Sequence, residues 1–197
     1  MRLRVTFEKR GLLCFIPHVE LPKLFCRSAR RAGLRLQSTA GLVPRPKLSL
    51  GPALPMGVLG LSEPAEFWLE SWPPEAMKEW NAHLPEGIKL LCAEEVFGKS
   101  LNELCTAAHY EIFLRGSFSL GAIYRAIAKN ASSLWLLALE QGDEKLELSQ
   151  GDPNRHTPSE LVKCLVDENV INGWQDLLVV RRCVGGWDGE RVRPLLG

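Results

Sequence analysis

The residues best equipped for chemistry lie close together near the N-terminus. His18 and Glu20 have the right types for an acid–base pair, a histidine that titrates near neutrality beside a carboxylate. Lys23, Arg27 and Arg31 follow at i, i+4 and i+8, which aligns three cations on one helix face, with Arg30 beside them. Pro44-Arg45-Pro46-Lys47 adds two cations on a segment stiffened by a proline on each side of Arg45. An aligned row of cations near a rigid basic loop suits spaced phosphates. Ser38 and Gly41, between helix and loop, are candidates to line a ligand pocket. Each group also has a plainer reading. His18 could simply hydrogen-bond at a strand–helix junction, the arginines could be a solvated face or pair with acids elsewhere, and Ser38 and Gly41 could be turn residues. Phe15 and Phe25 read as core, which leaves no base-stacking platform beside the cations.

The elements that must position these groups follow from periodicity. Residues 2–8 alternate polar and apolar, as a half-buried strand does. Residues 12–16 extend or return that strand, and Pro17 breaks it. A helix is expected over 19–32, with Pro22 in its first turn and Gly33 as its C-cap. Short strands are expected at 34–39 and 48–50, with a Pro/Gly-rich loop over 51–60. A strand at 66–70, a helix at 74–84 and a strand at 88–96 complete the first half. The second half repeats the order: a strand at 107–114, a helix at 120–129, then a hairpin of 134–140 and 145–149 about Gln141-Gly142-Asp143. Thr157-Pro158-Ser159-Glu160 reads as a capping box opening a helix to about Val166, and 176–184 as the last strand. Strand-helix-strand-strand-helix-strand, twice, is the ferredoxin-like order. The expected fold is therefore α+β, two tandem ferredoxin-like (βαββαβ) units with antiparallel sheets. They would be a basic N-terminal domain over 1–100 and a second domain over 105–184, with a mobile tail over 185–197.

Composition sets the setting. With 197 residues and 46% hydrophobic content the chain can build one or two cores, and 24% charged residues argue against bulk disorder. No signal-peptide pattern and no apolar run long enough to span a bilayer occur, so a cytoplasmic location is expected. The six cysteines include no Cys-x-x-Cys pair and none at ligand spacing from a histidine, so neither a metal nor a cofactor is expected. The net charge of +1 conceals segregation: residues 1–50 hold eleven Lys/Arg against two acids, the remainder thirteen against twenty-one. Such asymmetry points to a polyanion, an acidic partner or a charge contact between the halves.

The segment over 15–58 also resembles a known family. Phe15-Ile16-Pro17-His18-Val19-Glu20-Leu21, Arg30-Arg31-Ala32-Gly33, the run from Ser38 through Pro44-Arg45-Pro46-Lys47, and Leu54-Pro55-Met56-Gly57-Val58 match, in order, the opening block of the radical-SAM-associated domain of unknown function. Pro17, Glu20 and Leu42 depart from that pattern, standing where the family has Ser, Asp and an aromatic residue. The resemblance implies a radical SAM protein as partner, and the cluster-binding Cys-x3-Cys-x2-Cys motif is absent from this chain. The expected function is a non-catalytic partner of a radical SAM enzyme. It would bind RNA, tRNA or another structured RNA, with phosphates on Lys23, Arg27, Arg30, Arg31, Arg45 and Lys47. Two alternatives stand beside it: a protein-docking module for the radical SAM protein without nucleic acid, and a metal-independent ribonuclease using His18.

Overall fold

The computed structural model describes residues 1–196. Strand β1 (Arg2–Lys9) turns Leu3, Val5 and Phe7 into the first core. The expected extension over 12–16 is instead a 3-10 turn at Gly11–Phe15, followed by another at His18–Glu20. Helix α1 (Leu21–Arg31) starts two residues later than expected, with Pro22 in its first turn where its missing N–H costs nothing. Gly33, at φ +74°, reverses the chain just past it. The strand expected over 34–39 is reduced to two isolated bridges, Leu36 with Leu69 and Ser38 with Pro46. Next come β2 (Leu48–Leu50), β3 (Leu59–Trp68), α2 (Ala76–His83) and β4 (Ile88–Glu95).

A short helix α3 (Leu101–Leu104), closed by a Ser100/Glu103 capping box, occupies the expected boundary. The second half contains β5 (Ala107–Leu114), α4 (Leu120–Lys129), β6 (Leu136–Gln141), β7 (Lys145–Gly151), α5 (Pro158–Asp167), β8 (Leu177–Trp187) and β9 (Val192–Pro194). Thr157 takes the extended N-cap conformation at α5, but its side chain makes no cap bond, and Glu160 turns to His156 Nδ1 at 3.0 Å. The expected capping box there does not form. Nor is the stretch past 184 a free tail: β8 runs on to Trp187, and β9 folds back to pair with it through Gly185, Gly186 and Trp187.

The protein is α+β, with five α-helices and one mixed nine-stranded sheet among the described residues. The strand path is β4-β1-β3-β8-β5-β7-β6, with β2 on β3 and β9 on β8. All pairings are antiparallel except β3 with β8, which run parallel with Leu59 opposite Val180 and Gly60 opposite Arg181. This corrects the expectation of two antiparallel sheets. The cause lies in β3, which starts at Leu59, inside the expected loop over 51–60 and well before the strand expected at 66–70. Its first half carries the seam. Two cores result, one around Phe25, Phe67 and Trp80, the other around Tyr110, Ile112, Ile127 and Leu165. Leu54 and Val58, from the first half of the chain, are buried in the second core.

Candidate anion-binding groove and the charge cluster behind it

Helix α1 buries Leu21, Phe25, Ser28 and Ala29, and that choice fixes what remains outside. Ser28 accepts the Trp80 indole N–H at 2.8 Å and donates to Phe25 O at 3.0 Å, locking α1 against α2. Rotation about α1 is therefore fixed, and Lys23, Arg27 and Arg31 face a groove of about 550 Å³ closed on the far side by Ala82, His83, Leu84 and Pro85. Glu20 lies at its mouth and holds Lys23 at 2.9 Å. Among the described residues Arg27 and Arg31 have no ion-pair partner, and both are exposed. Two cations without counter-charge beside a concave surface can hold an anion with more than one charged group. Arg30 and Arg31 also sit in the last turn of α1, where the helix dipole favours positive charge.

Of the six expected phosphate ligands, Lys23, Arg27 and Arg31 line this groove and Arg30, Arg45 and Lys47 do not. Arg30 points to a separate cavity of about 320 Å³, which it shares with Ser38, Arg35 and Glu70. Arg45 sits on a loop pinned at its base, where Thr39 N–H donates to Arg45 O at 2.8 Å and Arg45 N–H to Thr39 Oγ1 at 3.1 Å. Gly41 is exposed within that loop. Lys47 lies over the Trp68 ring, 4.6 Å from its centroid. Trp68 follows the buried Phe67 along β3 and so faces the other side of the sheet from α1. Spacing along α1 found the groove's wall. It could not find His83, since only the packing of α2 against α1 brings that residue there.

His18 does not line this groove. It sits on the second 3-10 turn, and its Nδ1 is buried without a hydrogen-bond partner. Burial, then the nearby Arg181 charge, lowers its pKa; Glu63 opposes and Lys9 adds to the fall. These neighbours form a buried cluster on the β3–β8 seam. Arg181 is fully buried and grips both Glu63 carboxylate oxygens, Nε to Oε1 at 2.9 Å and Nη2 to Oε2. It also donates to Pro52 O at 2.7 Å and Ala53 O at 3.3 Å, tying down the loop before β3. Burial alone would lower the guanidinium pKa, but Glu63 and Tyr110 hold it above the ordinary arginine value. The Tyr110 hydroxyl is buried beside it with no partner at hydrogen-bonding geometry. Lys9, also fully buried, donates to Ile16 O at 2.7 Å and Cys14 O at 3.4 Å, and burial lowers its pKa. Lys9, Glu63 and Arg181 are far apart in sequence, and no local pattern marks them.

Among the described residues no helix is long and apolar enough to cross a membrane, and no group of three or more His, Cys, Asp or Glu could hold a metal ion. A search of curated proteins finds no match to this chain. Residues 2–152, which include the basic helix, the pinned loop and Glu63, match the model of a family described as an uncharacterized protein conserved in bacteria (DUF2344), and the chain belongs to that family.

Proposed function

We propose that this protein is an RNA-binding partner of a radical SAM enzyme, holding the phosphates of a structured RNA in the groove beside α1 and acting in the cytoplasm. The observation that carries the reading is the pair Arg27 and Arg31, exposed and without an ion-pair partner among the described residues, on the wall of a groove that Lys23 extends. Arg30, Arg45 and Lys47 lie outside the groove and fit a larger ligand that wraps past the helix. The radical SAM partner rests on the ordered motif match over 15–58. The tandem ferredoxin-like reading of the halves rests on strand order: β4-β1-β3-β2 in the first and β8-β5-β7-β6 in the second. His18 lies off the groove, so the reading assigns binding rather than cleavage.

The test is retention of total cellular RNA across a salt series. Wild type should bind at low salt and weaken steeply as salt rises. Lys23→Ala/Arg27→Ala/Arg31→Ala should lose most affinity and flatten the log–log salt slope by about 0.9 for each phosphate contact removed. Arg45→Ala/Lys47→Ala should lose less. Equal binding by wild type and the helix triple variant would end the reading. Reconstitution with a radical SAM protein tests the partner: modification of the bound RNA should require an intact α1 face.

A further inference from the structure

The seam between the halves leaves a strand position empty. Residues 177–179 of β8 pair with β5 on one side, Leu177 with Leu114, Leu178 with Phe113 and Val179 with Ile112. On the other side β3 begins only at Leu59, opposite Val180. Just before that point the chain turns away: Gly57 takes φ +86° and donates its N–H to Cys14 O at 3.0 Å, and Val58 N–H bonds Pro55 O at 3.2 Å. Three residues of β8, about 10 Å of strand, therefore face a cleft of about 580 Å³ with no described strand across it. An unpaired edge of this kind is a template for another extended chain.

The walls of the cleft are apolar and open to solvent. Leu12 is 84% exposed, Phe15 62% and Met56 60%. Such a concentration of large exposed apolar side chains around one concavity marks an interaction surface. Arg115, also lining the cleft, follows β5 directly and bonds through its backbone N–H to Asp176 O at 2.8 Å, which places it at the end of the open edge. Its side chain is exposed and, among the described residues, has no ion-pair partner. A free cation at the end of an apolar strand slot selects an acidic residue at one end of the incoming segment.

We infer that this cleft binds an extended segment of a partner protein, which adds to the β8 edge as a short strand, seats alternate apolar side chains against Leu12, Phe15 and Met56, and places a carboxylate on Arg115. This goes beyond the RNA groove and uses none of its residues.

A phage-displayed library of random linear dodecapeptides, selected on the full chain, tests it. Enriched peptides should carry alternating apolar residues next to an Asp or Glu. A recovered peptide should slow hydrogen exchange of the amides within 177–179. Phe15→Glu and, independently, Met56→Asp should each weaken its binding at least tenfold, with circular dichroism confirming that both variants remain folded. Arg115→Glu should weaken acidic peptides and not their Gln-substituted versions. No enrichment on wild type over Phe15→Glu, or enriched peptides that leave the amides within 177–179 unprotected, would overturn the proposal. Protection of those amides that grows with protein concentration in the absence of peptide would also overturn it, assigning the cleft to a second copy of this chain.

Discussion

The buried ion pair of Glu63 and Arg181 is where single residues weigh most. Each charge is tolerable only because the other neutralises it and the carbonyls of Pro52 and Ala53 take two more of the guanidinium protons. Glu63→Ala should therefore destabilise the fold by about 3–5 kcal/mol, since it leaves an uncompensated cation in the core. Glu63→Leu/Arg181→Met should recover most of that loss, as measured by urea denaturation. His18 gives a second prediction. Its folded pKa lies below its ordinary value because burial, then Arg181, disfavour the imidazolium, while Lys9 adds to this and Glu63 opposes it. The unfolded chain thus binds the proton more readily in the window between the two pKa values. Stability is fully present above about 6.5, the unfolded value, and declines as pH falls toward the folded one. Denaturation midpoints of wild type should drop between pH 7.5 and 5.5 more than those of His18→Asn.

At the level of elements, α1 acts as an adaptor between core and groove. Its inner face carries Phe25, in edge-to-face contact with Phe7, Phe67 and Trp80 at ring-centroid distances of 5.0, 5.3 and 6.2 Å. Its outer face carries Lys23, Arg27 and Arg31. The Ser28–Trp80 hydrogen bond sets the rotation that separates the two faces. Ser28→Ala should leave the indole N–H buried and unpaired, at a cost of about 1–3 kcal/mol. Denaturant titration followed by tryptophan fluorescence reads that loss. Salt-dependent RNA retention should weaken less than in the α1 triple variant, because the cations themselves remain. A loss as large as the triple variant's would mean that helix orientation, not charge, dominates the groove.

For the whole molecule, the β3–β8 seam joins the two cores. It combines two parallel residue pairs, the Glu63–Arg181 pair, and Leu54 and Val58 inserted into the second core. A seam of that kind couples the halves, so calorimetry should show one cooperative transition rather than two. A fragment covering 1–100 would expose Leu54 and Val58 and leave Glu63 without Arg181, and it should melt well below the intact chain. Two resolved transitions in the full chain, or a fragment as stable as the whole, would show the seam to be a weak joint.

What the sequence determined by itself was whatever depends on neighbours along the chain. The strand over 2–8, the Gly33 helix stop, the helix at 120–129 and the hairpin about Gly142 follow from local periodicity and turn chemistry, and the structure contains each of them, although β1 is buried on both faces, Arg4 and Thr6 included, where its alternation predicts a half-buried strand. The same holds for the alignment of Lys23, Arg27 and Arg31, which helical geometry dictates. Tertiary structure decided the rest. It kept Arg45 and Lys47 out of the groove beside α1, because a loop's direction depends on what pins it, here Thr39 for Arg45 and the Trp68 ring for Lys47. It merged two expected sheets into one mixed sheet, because the first half of β3 gains its strand character from β1 and β8 rather than from its own Gly- and Pro-bearing sequence. It also assembled Lys9, His18, Glu63 and Arg181, whose proximity is a long-range contact and leaves no periodic trace in the chain.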